Sequence, residues 1–572
     1  MELVTIAVVG VIVVVLVTTV APKIGIASPL VLVVLGVGVS LLPMVPPLHV
    51  EPELILGGIL PPLLYSTAVN TPVMEFRRDL RIISIFAVLL VAVSAVAVGF
   101  LLVWLVPGLP LGIGIAVGAV VSPTDAVATT IVRKSGASSR LLRVLEGEAL
   151  FNDATALVLL RSAVAATAAG FSFWRISIEF VYAVVVALIV GFVVGRINVA
   201  VRSRIPHVAS NVAFSLAVPF LAYVPAEHLR ASGLVAAAMA GLITGHRTPK
   251  RLPSQIRIAE RAVWETANLI LESAIFLLMG MQLRALLMDI HYSTTLEWLA
   301  LELGVASALI VLAARTVFVS ASVWLLARRT DRVARRHERI AIFTERVDQL
   351  READTDDQRR RRVSQRRWSQ FKTVMSRRAA DLDYLTSEQF GWKDGVILVA
   401  AGMRGAITLA AAQSLPNGTP NRSLLILTSF VVAAGTLLIQ GGTLSTLVKA
   451  LIVEPRDTKA DEVLARHLDV ELNQAALKQL DSGKWHHADG TAYSEESFAR
   501  ARSILETNLD AKRVRPRRQR SHELAALRLE ILEAQRAELL RIRDVGSYPG
   551  ELLTAKLAQL DADQISIESR QQ

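Results

Sequence analysis

Runs of roughly twenty apolar residues recur along this chain, the length that crosses the ~30 Å hydrocarbon core of a bilayer. They fill residues 1 to 326 and 391 to 452 of 572, while charge collects in 327 to 390 and 455 to 572. A soluble domain of this size would be less apolar than the 53% hydrophobic content and mean hydropathy of +0.47 seen here. The expected fold is therefore an all-α polytopic membrane domain, 1–452, with a basic cytoplasmic loop at 327–390. A small helical cytoplasmic tail, 453–572, follows as a candidate regulatory part.

Thirteen spans are expected, near 3–20, 27–43, 53–69, 82–106, 111–132, 147–170, 176–195, 209–224, 231–246, 262–288, 297–326, 391–414 and 422–450. The first lacks a basic segment before it and runs on without a cleavage signal, so it reads as a retained helix. Basic residues occupy alternate loops, among them Arg77, Arg78 and Arg81, then Arg133, Lys134, Arg140 and Arg143, then Arg247, Lys250, Arg251 and Arg257. That alternation predicts an outside N-terminus and a cytoplasmic C-terminus. It also accounts for the net charge of +11 without nucleic acid as a partner. There are no cysteines, which excludes disulfides and thiolate chemistry. Spans one to six and eight to thirteen can form two six-helix units of opposite orientation, a plan in which broken helices meet at the transport site.

Ionisable groups inside spans are costly and face partners or water-filled cavities. Those here are Asp125, Glu148, Asp153, Arg161, Glu272, Arg315 and Arg404. They could simply be structural ion pairs, but several sit beside helix breakers. Pro123 in Ser122-Pro123-Thr124-Asp125 removes a backbone hydrogen bond mid-span. The alternative to a plain proline kink is an unwound segment. Its freed carbonyls and the Thr124 hydroxyl would suit an alkali cation, with Asp125 at a half-helix N-terminus. Gly402-Met403-Arg404-Gly405 predicts a second break at the equivalent place, and Glu148 is the carboxylate expected to pair with Arg404. Glu148 and Asp153 are five apart, so they project about 140° from one another on a helix. One can face a structural arginine and the other an ion path. A buried carboxylate there can be shared by a proton and a small cation in competition, and Asn152 adds polarity without a second charge.

Four segments, SPTDAVA (122–128), EGEALFNDATALV (146–158), ESAIFLLMG (272–280) and GMRGAITLA (402–410), resemble the bacterial monovalent cation/proton antiporter family with its NhaP-like sodium/proton exchangers. The likeness covers the whole membrane domain. It implies crossed broken helices, an elevator-like alternating-access step, homodimers, and a multi-pass protein of the plasma (inner) membrane serving pH and cation homeostasis. It implies Asp153 as the carboxylate that carries Na+ (or K+) and H+, with Asn152 beside it and Thr124 and Asp125 at the crossing. It implies a Glu148–Arg404 structural pair, and Glu272, Pro123, Gly402 and Gly405 are expected to support the site. The Asn-Asp pair implies electroneutral exchange. Two positions depart from the pattern: Ser66 stands where relatives carry an acid, and Ala149 where some carry a serine. These leave the choice among Na+, K+ and Li+ open. No cofactor is expected. The competing readings are a passive channel, an intramembrane aspartyl protease using Asp125 and Asp153, and a sensor of the same fold.

In the polar parts, residues 359–372 mix arginines with Trp368 and Phe371, which suits either a helix on the anionic inner leaflet or a solvated linker. In the tail, 462–480 and 521–543 favour helix, and His486-His487 reads as solvated.

Overall fold

A computed structural model describes residues 2–43, 45–169, 173–290, 294–353, 391–451, 458–481, 485, 493–509 and 522–568. Helices and no strands form among these residues. The chain divides into two compact units. The first comprises Met1–Arg247, Glu260–Arg329 and Glu388–Pro455, and the second Thr248–Ala259, Thr330–Ser387 and Arg456–Gln572.

Among the described residues the apolar stretches fall largely on helices, two of them broken, and α11, α12 and α14 run on into the second unit. α1 (Glu2–Val20) and α2 (Ser28–Ser40) are followed by α3 (Leu60–Asn70), which a π-helical turn at Leu54–Ile59 precedes. α4 (Val73–Ser84) and α5 (Val91–Leu105) join through a second such turn into one helix of 33 residues. α6 (Leu111–Val121) and α7 (Val127–Lys134) make a broken pair, and α8 (Ser139–Ala169) returns beside them. Then come α9 (Phe173–Arg202), α10 (Val208–His228), α11 (Gly233–Arg251), α12 (Ser254–Met281), α13 (Leu283–Asp289) and α14 (Thr294–Ala353). The second broken pair is α15 (Trp392–Ala400) and α16 (Ala406–Gln413), and α17 (Arg422–Leu451) completes the set. Among the described residues seven helices are long and apolar enough to cross a membrane, with four shorter apolar helices besides.

Both breaks follow from local chemistry. Pro123 can offer no N–H to α6, so that helix ends at Val121, and Ser122 Oγ donates back to Gly118 O at 2.6 Å. Asp125 Oδ1 then accepts from Val127 N at 3.0 Å, an Asx turn that starts α7. In the second pair Ala401–Gly405 is unwound between α15 and α16. Asp125 N donates to Met403 O at 2.8 Å and ties the two breaks together. α6 lies in the densest part of the core, packed against α5, α8, α16 and α17. A buried core of Val, Leu, Ile and Ala surrounds it.

The second unit contains α18 (Thr458–Leu480), α19 (Glu495–Leu509), α20 (His522–Val545) and α21 (Gly550–Glu568). Leu468, Leu472, Leu532, Leu539, Ile542 and Leu553 share one core there. Residues 248–259, sequence neighbours of the membrane spans, belong to this unit. Asp561 of α21 accepts from Arg257 and Arg536 together. His486-His487 and residues 359–372 lie outside the described residues.

Candidate functional site

The two breaks and the middle of α8 come together in the first unit. Asn152 is buried and donates from Nδ2 to both the Thr124 carbonyl and Thr124 Oγ1, each at 3.0 Å. Thr124 Oγ1 in turn donates a hydrogen bond to Glu148 Oε1 at 3.1 Å. Glu148 is held by Arg315 of α14, with Nη1 at 2.5 Å and Nη2 at 3.0 Å on its two oxygens. Arg315 Nε reaches Leu398 O at the end of α15, at 2.8 Å. One hydrogen-bonded chain thus links α6–α7, α8, α14 and α15.

This corrects the expected Glu148–Arg404 pair: the bidentate partner of Glu148 is Arg315. Arg404 turns back onto carbonyls instead, donating to Val121 O at 3.0 Å and to Gly402 O, while its backbone N–H donates to Thr436 Oγ1 at 3.0 Å. The reason is where backbone acceptors are stranded. α6 and α15 end inside the protein with carbonyls that lack helical donors, and each receives a guanidinium. Asp125 does the converse at the N-terminal ends, on α7 by its hydrogen bond and on α16 by contact with Gly405. Opposite charges therefore sit at opposite half-helix ends.

Asp153 lies on the other side of α8 from Glu148. It is 8% exposed, and among the described residues it accepts no hydrogen bond and pairs with no cation. Its charged neighbour is Asp125. Asn152 Oδ1 beside it is buried and also without a partner. The site thus offers a lone carboxylate and a free amide oxygen, hard ligands for an alkali cation. Glu272 is half-buried on α12 and also has Asp125 as its charged neighbour. Gly402 and Gly405 sit where side chains pass close: a Cβ on Gly402 would stand 2.7 Å from Arg315 Cδ. Arg161 is not at the site; it pairs with Glu227 at 2.7 Å and is half exposed.

Residues 10–450 match the family model for the transmembrane sodium/hydrogen exchanger. The chain belongs to that family. This exchanger is 29% identical over 539 residues to the uncharacterized Na(+)/H(+) exchanger YjcE of Escherichia coli K12, covering 90% of this chain and 89% of that one. It is 26% identical to the sodium, potassium, lithium and rubidium/H(+) antiporter of Bacillus pumilus, over 79% of this chain and 61% of that one. It also resembles the sodium proton antiporter MjNhaP1 of Methanocaldococcus jannaschii at pH 8. That structure superposes with a TM-score of 0.53 at 15% identity, covering 79% of this chain and all of that one. The exchanger is accordingly a multi-pass cation/proton antiporter and not an enzyme, which sets the protease reading aside.

Sequence reasoning missed two residues that the geometry brings in. Arg315 was recognised as an intramembrane charge but given no partner. Asn268, whose Nδ2 donates to Ser66 Oγ at 2.6 Å, was not singled out at all. Its signal was an amide one turn before Glu272, on the same face of the span.

Proposed function

We propose that the exchanger trades one alkali cation for one proton at Asp153, by alternating access and without net charge movement. The observation that carries this is the contrast between two buried carboxylates on α8. Glu148 is neutralised by Arg315, whereas Asp153 has no counter-ion among the described residues. A bare carboxylate in a low-dielectric site is costly. Asp153 is relieved equally by a proton or by a monovalent cation, so each displaces the other and the empty charged state resists crossing. Either load leaves the same net charge, which makes the cycle electroneutral. Asn152 is neutral, and its amide nitrogen is committed to Thr124. Its role is to hold the unwound Thr124 carbonyl and to leave its own oxygen toward the cation.

Na+ is the first candidate substrate. K+ or Li+ is the second reading, favoured by Ser66 and Ala149, where the site has neither an added acid nor an added hydroxyl. The name of the Bacillus pumilus relative includes four alkali cations. We further assign a homodimer in the plasma membrane, with the N-terminus outside and the C-terminus in the cytoplasm, a reading supported by the alternation of basic loops. Thr124, Asp125 and the two breaks serve the site, and Pro123, Gly402 and Gly405 keep them open.

Everted membrane vesicles with an acidified lumen and a pH-sensitive dye test the reading. Adding Na+, K+ or Li+ should collapse the gradient, at a rate unchanged when membrane potential is clamped with an ionophore. A rate that follows the potential contradicts electroneutral exchange, and no response to any of the three contradicts alkali-cation antiport.

A further inference from the structure

The exchange cycle leaves one half-buried carboxylate of the spans unused. Glu272 on α12 accepts no hydrogen bond and forms no ion pair among the described residues. One turn earlier on the same helix face, about 6 Å along the axis, stands Asn268. Its Nδ2 donates to Ser66 Oγ of α3 at 2.6 Å, which commits the nitrogen end of the amide. The oxygen end, Asn268 Oδ1, is buried and has no donor among the described residues. Ser66 itself is buried and brings an oxygen but no charge.

We propose that Glu272, Asn268 Oδ1 and the Ser66 hydroxyl form a second, transient station for the alkali cation, separate from Asp153; this rests on the antiport reading above. The chemistry fits a monovalent ion. The set supplies hard oxygens and a single negative charge, so one monovalent cation neutralises it. A divalent cation would need more carboxylates than the station has. The position fits as well, because Asp125 is the charged neighbour of both Glu272 and Asp153. Asp125 thus neighbours both the station and the exchange carboxylate. A cation shedding water on its way to Asp153 would meet one intermediate set of ligands, bound well enough to enter and weakly enough to leave. A purely structural reading makes Asn268–Ser66 a strut between α12 and α3. A strut sets stability, and its loss does not change how much cation half-saturates transport.

The full-length protein in proteoliposomes separates the two. Glu272→Gln should raise the half-saturating Na+ concentration about tenfold with the maximal rate kept within about twofold, the pattern of a lost binding ligand. Asn268→Leu should raise it in the same direction by a smaller factor, and Glu272→Asp should recover part of the affinity. An unchanged half-saturating concentration in Glu272→Gln overturns the proposal, as does a fall in maximal rate alone. If Glu272→Gln is not recovered folded, by size-exclusion profile, Asn268→Leu decides by the same criteria. Asp153→Asn run in parallel keeps the two ideas apart. Exchange surviving in that variant sinks the antiport reading at Asp153, whereas its loss together with an unaltered Glu272→Gln sinks only the station.

Discussion

Asp125 Oδ2 lies 1.8 Å from the point where a Cβ on Gly405 would stand, so the carboxylate of one broken helix occupies the space left by the missing side chain of the other. No side chain can be added at 405 without moving Asp125, and with it the crossing on which the site is built. Gly405→Ala should therefore leave the protein in the membrane but cut exchange by at least about tenfold, since small misplacements at a reacting centre are costly. Vesicle assays matched for protein amount would show it, and near-normal activity would mean that Asp125 has room to shift.

The Glu148–Arg315 pair makes a claim about coupling. Removing one partner leaves a buried charge alone, at a cost of about 3–5 kcal/mol, whereas replacing both together is far milder. Arg315→Met and Glu148→Gln should each lower the thermal stability of the detergent-solubilised protein, and the double variant should recover most of the loss. The same cycle run with Arg404→Met should be closer to additive, because Arg404 is hydrogen bonded to Val121 O and Gly402 O. Equal coupling in the two cycles would contradict this assignment.

Much of the site was legible in the sequence, for reasons that are local. Pro123 stops α6 wherever it sits, Gly402 and Gly405 bracket the second break, and the five-residue spacing sends Glu148 and Asp153 to different sides of α8. What was not legible depends on direction across helices far apart in sequence. Choosing Arg315 over Arg404 for Glu148 requires knowing that Arg404 is drawn to the stranded carbonyl of Val121. The Asn268–Ser66 contact joins positions 202 residues apart and leaves no periodic trace. Likewise, nothing in Thr248–Ala259 announces that these residues belong with the tail, because that grouping rests on the distant acid Asp561. The helices of the tail itself, by contrast, follow from local propensity and from the leucines of α20.

The tail also carries a pH signature. Partial burial, reinforced by the hydrogen bond to Glu471, pushes the Tyr548 hydroxyl from 10.0 up to about 12. The folded tail thus favours the protonated phenol more than the unfolded chain does. That contribution is complete below about pH 10 and is lost as pH rises toward 12. Limited proteolysis of the intact protein should show wild type more resistant than Tyr548→Phe below pH 10, with the difference closing above it. A difference that grows with pH would reverse the sign and refute the account.

The central claim is that Asp153 is the one carboxylate through which cation and proton compete. Everted vesicles with a pH dye, challenged in turn with sodium, potassium and lithium, test it most directly when wild type is compared with Asp153→Asn. The account predicts prompt proton movement in wild type with at least one of the three cations, and none in the variant with any. Exchange at the wild-type rate in Asp153→Asn would contradict it.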